Sequence, residues 1–259
     1  MTVGADSAFF DLAAGGIDGV GVDFERVVGE LKPGAHLLAL SPIATHHSNT
    51  ISIEDAGMEI RDTVVWVFDS GGQTPDMLLV TVARKPLEGT VAENTLKYGT
   101  GGLNIDQSRI RAEGTDLYFN RSLFQGRYEK KGLTSYGGEA DWKHGDNSMP
   151  NSAGRWPANL AHDGSDEVVG LFPDSKSCSS PSKAKPESKF RPGQGNYQPQ
   201  GPIYPGDSGS AARFFYSAPC LDSLITYLLK LITQPNGTVL TNCDKEKLPN
   251  DYNYVGQEL

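Results

Sequence analysis

The chain has 259 residues, is 37% hydrophobic and carries a formal net charge of -9 with a pI near 5.0. That length suits one large or two small domains and allows a real core. The acidic balance disfavours non-specific phosphate binding, which Lys and Arg carry, although it leaves room for a local basic face or for an acidic surface that competes for DNA-binding proteins. Cys178, Cys220 and Cys243 are scattered without a CxxC pair, which argues against a disulfide framework or zinc site and for a reducing cytoplasm. No basic segment followed by an apolar run marks a signal peptide, and no apolar run approaches the ~20 residues of a membrane span.

Residues 1 to 21 are small and Gly-rich and predict a loose or docked lead-in. Phe24, Val27, Val28 and Leu31 then fall on one helical face, and Lys32-Pro33-Gly34 predicts its stop. His36 to Leu40 predicts a short buried strand, and Thr45 to Ala56 a helix closed by Gly57 in a left-handed cap. Glu59 to Phe68 predicts a strand apolar on both faces, with Ile60, Val64 and Trp66 opposite Val65 and Val67, hence a central position in a covered sheet. A turn over Asp69 to Asp76 leads to a strand over Met77 to Ala83. This alternation predicts an α/β sheet with helices on both faces.

Residues 86 to 210 are polar and weakly periodic, and Ser175 to Pro205, rich in Ser, Lys, Pro, Gly and Gln, reads as a surface loop or partly disordered insert. Tyr128, Lys130, Lys131, Tyr136, Trp142, Lys143 and His144 mix aromatic and basic types in a way that suits base stacking, with acidic residues between them. Ala211 to Ala218 predicts a strand. Leu221, Leu224, Ile225, Leu228, Leu229 and Ile232 give the cleanest amphipathic helix in the chain. Gln234 to Gly237 is a turn, Thr238 to Leu240 a short buried strand, and Tyr252 to Leu259 a last strand.

Three runs then stand out: Arg84 to Asp106, Gly154 to Ser165 (GRWPANLAHDGS) and Gly206 to Tyr216 (GDSGSAARFFY). In type and order they resemble the prokaryotic and phage DNA amino-methyltransferases, which move a methyl group from S-adenosylmethionine (SAM) to N6 of adenine or N4 of cytosine. Glu30 to Leu40 and Ile53 to Asp62 resemble the same family. The resemblance implies a SAM-dependent methyltransferase sheet with target recognition in the middle region. It makes Arg155, Trp156 and Asn159 candidate DNA contacts, with Lys143 joining them from the aromatic and basic stretch. The plain alternative for Trp156 is a packed aromatic that anchors a loop.

An amino-methyltransferase needs an Asp/Asn/Ser-Pro-Pro-aromatic tetrapeptide to hold the flipped base, and a Gly-rich turn after a strand to let backbone approach the cofactor. No Pro-Pro occurs in the sequence, and Ser41-Pro42-Ile43-Ala44 lacks both the second proline and the aromatic. The family order would put the tetrapeptide before the helix at 22 to 31, where only Gly-rich, non-matching residues stand. Pro235 to Leu240 resembles the approach to the SAM loop but continues Thr241-Asn242-Cys243-Asp244-Lys245-Glu246-Lys247-Leu248-Pro249, without glycines. Glu258 matches the family's ribose-binding acid, against the plain reading of a solvated terminal residue. The family's His-Pro-Thr-x-Lys-Pro run is also missing.

Other chemistry is thin. Adjacent His46 and His47 lack the i, i+4 spacing of a helical metal pair. Gly99, Gly101 and Gly102 follow no strand directly, and Ser208 and Ser210 have no strand-to-helix elbow.

The expected fold is therefore α/β, a reduced SAM-dependent methyltransferase (Rossmann-like) sheet. Residues 1–85 and 211–259 form the core and 86–210 a loop-rich insert. No catalytic residue and no metal is expected. Thr241, Asn242 and Glu258 are the cofactor-binding candidates, with no cofactor expected unless the family's SAM site survives. The expected function is a catalytically inactive, cytoplasmic, phage-type binding protein, with DNA or a DNA-associated host protein as partner, no membrane, and possible homo-oligomers. A methyltransferase completed by a partner chain and an assembly subunit are the alternatives.

Overall fold

The computed structural model describes residues 4–13, 22–110, 154–176 and 208–256. They fall into two compact units. Residues 4–13, 22–110, 156–173 and 210–256 make the first, and Gly154, Arg155, Asp174 to Lys176, Ser208 and Gly209 belong to the second. Five helices enter the account: α1 (Phe24–Glu30), α2 (Ile43–Asp55), α3 (Val91–Tyr98), α4 (Asp166–Val169) and α5 (Leu221–Ile232). The strands are β1 (Ala5–Asp11), β2 (Leu31–Pro42), β3 (Glu59–Phe68), β4 (Asp76–Arg84), β5 (Leu160–His162), β6 (Asp174–Lys176), β7 (Ser208–Ser210), β8 (Tyr216–Ser217), β9 (Thr238–Thr241) and β10 (Asn253–Gly256). Eight of them make the main sheet, in the order β10-β9-β1-β2-β4-β3-β5-β8, and β6 with β7 makes a separate pair. Every neighbouring pair in the main sheet is parallel except the two made by β4. One antiparallel strand therefore sits inside an otherwise parallel α/β sheet.

Alternation across the central strands feeds two cores. Phe9, Leu38, Leu40 and Val239 face α5, where Leu224, Ile225, Leu228 and Leu229 meet them. Ala8, Phe10, Leu37, Ala39 and Leu240 face the other way, toward Phe24 and Val27 of α1 and Ile53 of α2. Helices thus cover both faces, as the alternation of elements predicts. Each large side chain so buried contributes about 1.5–3 kcal/mol.

Residues 1 to 21, whose composition predicts a lead-in, instead supply β1, an inner strand between β9 and β2. Ala5, Asp6, Ser7 and Ala8 have low strand propensity, but tertiary partners decide the matter. Asp6 accepts from Lys32 Nζ and from the Thr238 backbone N–H at 2.5 and 2.8 Å, and buried Ser7 shares a 2.7 Å hydroxyl contact with Thr233. A second correction concerns Ala211 to Ala218. Residues Ala211–Phe214 form a 3-10 turn, started by the Ser210 hydroxyl accepting the Ala212 N–H, and only Tyr216–Ser217 are strand. The stretch that reads as a loop-rich insert contributes α3 and β5 to the first unit. At the carboxyl end, β10 runs Asn253–Gly256.

Arg84 to Asp106 closes the sheet edge where β2 and β3 begin. Lys85 Nζ donates to the carbonyls of Val28 and Leu31, both at 2.7 Å, and so satisfies the last turn of α1. Asn104 does the same for α5: its side-chain amide donates to the carbonyls of Lys230 and Thr233 at 3.1 and 2.9 Å, and its backbone N–H to Leu231. Between them, fully buried Asn94 accepts from the Glu88 N–H and donates to the carbonyls of Pro33 and Thr100. Gly34 and Gly101 both have positive φ, and a Cβ at Gly34 would lie 2.4 Å from the Asn94 amide nitrogen. Glycine is needed there for conformation and for space.

Two outcomes follow for stability. Asn94→Ala strands several buried partners and should cost about 2–4 kcal/mol in chemical denaturation, whereas Leu96→Ser, at an 89% exposed position, should change less than ~0.5 kcal/mol. Buried His36 has its pKa lowered to about 4, first by burial and then by Arg84 and Arg61. The unfolded chain takes this proton first, so stability falls as pH drops from about 6.5 toward about 4, by on the order of 3 kcal/mol in total. Unfolding free energy measured against pH should lose that part of its slope in His36→Gln.

Candidate functional site at the strand ends

The carboxyl ends of the parallel strands lie along one edge: Asp11 of β1, Pro42 of β2, Phe68 of β3, His162 of β5 and Thr241 of β9. From β1 the chain crosses to β2 on one side, and from β9 to β10 on the other. Such a divergence is a topological switch point, and open α/β sheets bind ligands in the crevice outside it. Here that crevice is a cleft of about 170 Å³ lined by Asp11, Leu221, Ile225, Asn242, Cys243 and Lys247, together with Asp222 and Asp244.

The two strand ends are clasped together across this cleft. Asn242 Oδ1 accepts the Asp11 backbone N–H at 2.9 Å, and Asn242 Nδ2 donates to the Asp11 carbonyl, also at 2.9 Å. The carboxamide acts as one more peptide group and extends the β1–β9 ladder by a rung. Thr241 is buried, and its hydroxyl accepts the Cys243 N–H at 3.0 Å. Burial pushes the Cys243 thiol up, as expected of an inert packed cysteine. Lys247 reaches Asp244 at 3.6 Å, both largely exposed.

This donor set does not suit SAM among the described residues. Small-molecule sites run to roughly 300–1,000 Å³, and the cleft is well below that. The turn after β9 has no glycine to admit a cofactor backbone-close, and both polar ends of Asn242 are already spent on Asp11. Thr241 and Asn242 do sit at the switch point, but as parts of the protein's own closure. Glu258 and Lys143 lie outside the described residues.

The DNA-contact candidates are elsewhere. Trp156 and Asn159 lead into β5, at the amino-terminal edge of the sheet, opposite the cleft. Trp156 is 68% exposed, so it does not serve as a packed anchor. Asn159 is exposed and its carbonyl accepts the Val65 N–H, while Arg155 is half-buried. The structure therefore divides the sequence candidates between two edges.

The remaining motif residues are structural. Asp163 accepts the Asp69 N–H and both donors of Ser165, whose hydroxyl starts α4. Burial works against ionisation of the Asp163 carboxyl, yet these bonds together hold it below the usual range. Gly99 is the left-handed cap of α3. Ser210 donates to the Val169 carbonyl at 3.4 Å. His46 Nδ1 lies 3.4 Å from Thr81 Oγ1, and burial, then the neighbouring His47, lowers its pKa. No group of three His, Cys, Asp or Glu among the described residues is placed to hold a metal. None of their helices is long and apolar enough to cross a membrane.

Asp11 and Asp222 are cleft residues that the sequence does not single out. Cys243 stands in the sequence as one of three scattered cysteines and as part of the run after Leu240. Asp11 has no evident position until β1 is seen as a strand; two phenylalanines before an acid, Phe9-Phe10-Asp11, are the available signal.

No family model and no curated protein matches the sequence. Solved structures of DNA methyltransferases do resemble it. M1.HpyAVI in complex with SAM aligns over 98% of this chain and 81% of its own, at 9% identity and a TM-score of 0.40. A second structure of M1.HpyAVI aligns over 98% of this chain and 80% of its own, at 8% identity and a TM-score of 0.41. A DNA modification methylase from Thermus thermophilus aligns over 37% of this chain and 52% of its own, at 13% identity and a TM-score of 0.25.

Proposed function

We propose that this chain is a DNA methyltransferase-like protein that does not transfer methyl groups and acts by binding DNA or a DNA-associated protein. The observation that carries the reading is the Asn242–Asp11 clasp at the switch point. A cofactor-dependent enzyme of this architecture keeps that crevice open. Here a side chain occupies the hydrogen-bonding groups at the end of β1, and the cleft that remains is about 170 Å³. The sequence supports the same reading. It has no Pro-Pro-aromatic tetrapeptide to hold a flipped base and no Gly-rich turn at Thr241 to Leu248.

The segments that resemble the methyltransferases serve mainly the framework. Arg84 to Asp106 closes two helices, and His162 to Ser165 turns β5 into α4. A protein that kept these and lost the reactive parts retains a shape to present, not a reaction to run. A fold alone does not assign a function; the residues of the site do.

Calorimetric titration with SAM tests the reading. The expected result is no heat of binding at high micromolar SAM. Stoichiometric binding would overturn it and would make methyl transfer to DNA the next assay.

A further inference from the structure

We propose that Trp156 is a stacking platform for an unpaired nucleobase, an inference that rests on the nucleic-acid reading above and gives it a place on the molecule. A tryptophan 68% exposed stands out among the described residues, because Trp is the side chain with most to gain from burial. Its ring is also prepared. The Arg109 guanidinium lies 5.7 Å from the ring centroid. Arg109 is itself held by Asp106, with Nε and a terminal nitrogen each 2.9 Å from the same carboxylate oxygen, and only 17% of its side chain is exposed. A cation fixed over a ring steadies the indole before any ligand arrives.

The backbone adds to this. Trp156 precedes Pro157, which confines it to extended conformations and lowers the entropy lost when the ring is engaged. Three residues on, Asn159 is exposed, and its backbone carbonyl is fixed by the Val65 N–H at 2.9 Å. An exposed ring with an arginine beside it suits a base face. The net charge of -9 disfavours a phosphate track, so the contact proposed is with the face of the base, where Arg109 beside the ring adds a cation.

The platform lies on the edge opposite the switch-point cleft, so its ligand is not one presented to a cofactor there. An unpaired base in a single strand offers its face without the cost of unstacking a duplex.

The test is fluorescence anisotropy with short labelled single strands and the matching duplex, at two salt concentrations, for the parent chain, Trp156→Ala and Trp156→Phe. The expected result is preference for the single strand, a shallow salt dependence, a loss of roughly 5- to 150-fold in Trp156→Ala, and retention of most affinity in Trp156→Phe. Because the side chain is exposed, Trp156→Ala should melt with the parent, which separates lost binding from lost fold. Equal binding by Trp156→Ala, or no single-strand binding by the parent, overturns the platform. Binding confined to the duplex also overturns it while leaving the non-enzymatic reading intact; that reading fails separately, on SAM titration. Retention of a protein partner through Trp156 with no nucleic-acid binding overturns it too.

Discussion

A helix that ends at a sheet edge leaves carbonyls with no partner inside the helix, and burying them unpaired costs more than most contacts return. In this chain one segment answers that need twice. Lys85 takes the carbonyls of Val28 and Leu31 at the end of α1, and Asn104 takes those of Lys230 and Thr233 at the end of α5. The two helices lie on opposite faces of the sheet. Residues 84 to 106 therefore tie the two cores together, and Asn94, Gly34 and Gly101 keep that tie in one conformation. Desolvation lowers the Lys85 pKa, consistent with an amine spent on structure.

The sheet thus has two differently made edges. One is closed by residues 84 to 106, which serve as caps and turns. The other carries the switch point, where function in such sheets is normally placed. There the Asn242 carboxamide bonds both backbone groups of Asp11. These two hydrogen bonds complete the strand pair. The amino-terminal edge is held by many long-range bonds, while the crevice edge depends on a single polar side chain and the turn behind it.

Much of this is legible in the sequence where a residue's own chemistry decides its place. Leu224, Leu228 and Ile232 mark α5 by spacing, Val64 and Trp66 mark β3 by alternation, and Gly57 marks the end of α2 with φ 92°. The capping of α3 by Thr90 and Glu93 follows from residue type at fixed offset. What is not legible depends on partners far along the chain. Ala5 to Ala8 become strand because Lys32, Thr233 and Thr238 meet them. Without β1, Asp11 has no position, and Asn242 is a bare candidate lacking the residue it clasps. Residues 211 to 214 have the composition of a strand, and the Ser210 cap makes them a 3-10 turn. Trp156 is exposed where packing is the plainer expectation, since no local rule says which aromatic the fold will leave outside.

At the crevice between β1 and β9 the protein bonds its own strand ends together. Amide hydrogen exchange at Asp11, followed by NMR with and without millimolar SAM, addresses it directly. The Asp11 amide should be protected to the same degree as Phe9 in the strand, unmoved by SAM, and exposed to exchange in Asn242→Ala. Rapid exchange in the parent chain, or a shift of the Asp11 resonance as SAM is added, would contradict it and reopen the crevice as a ligand site.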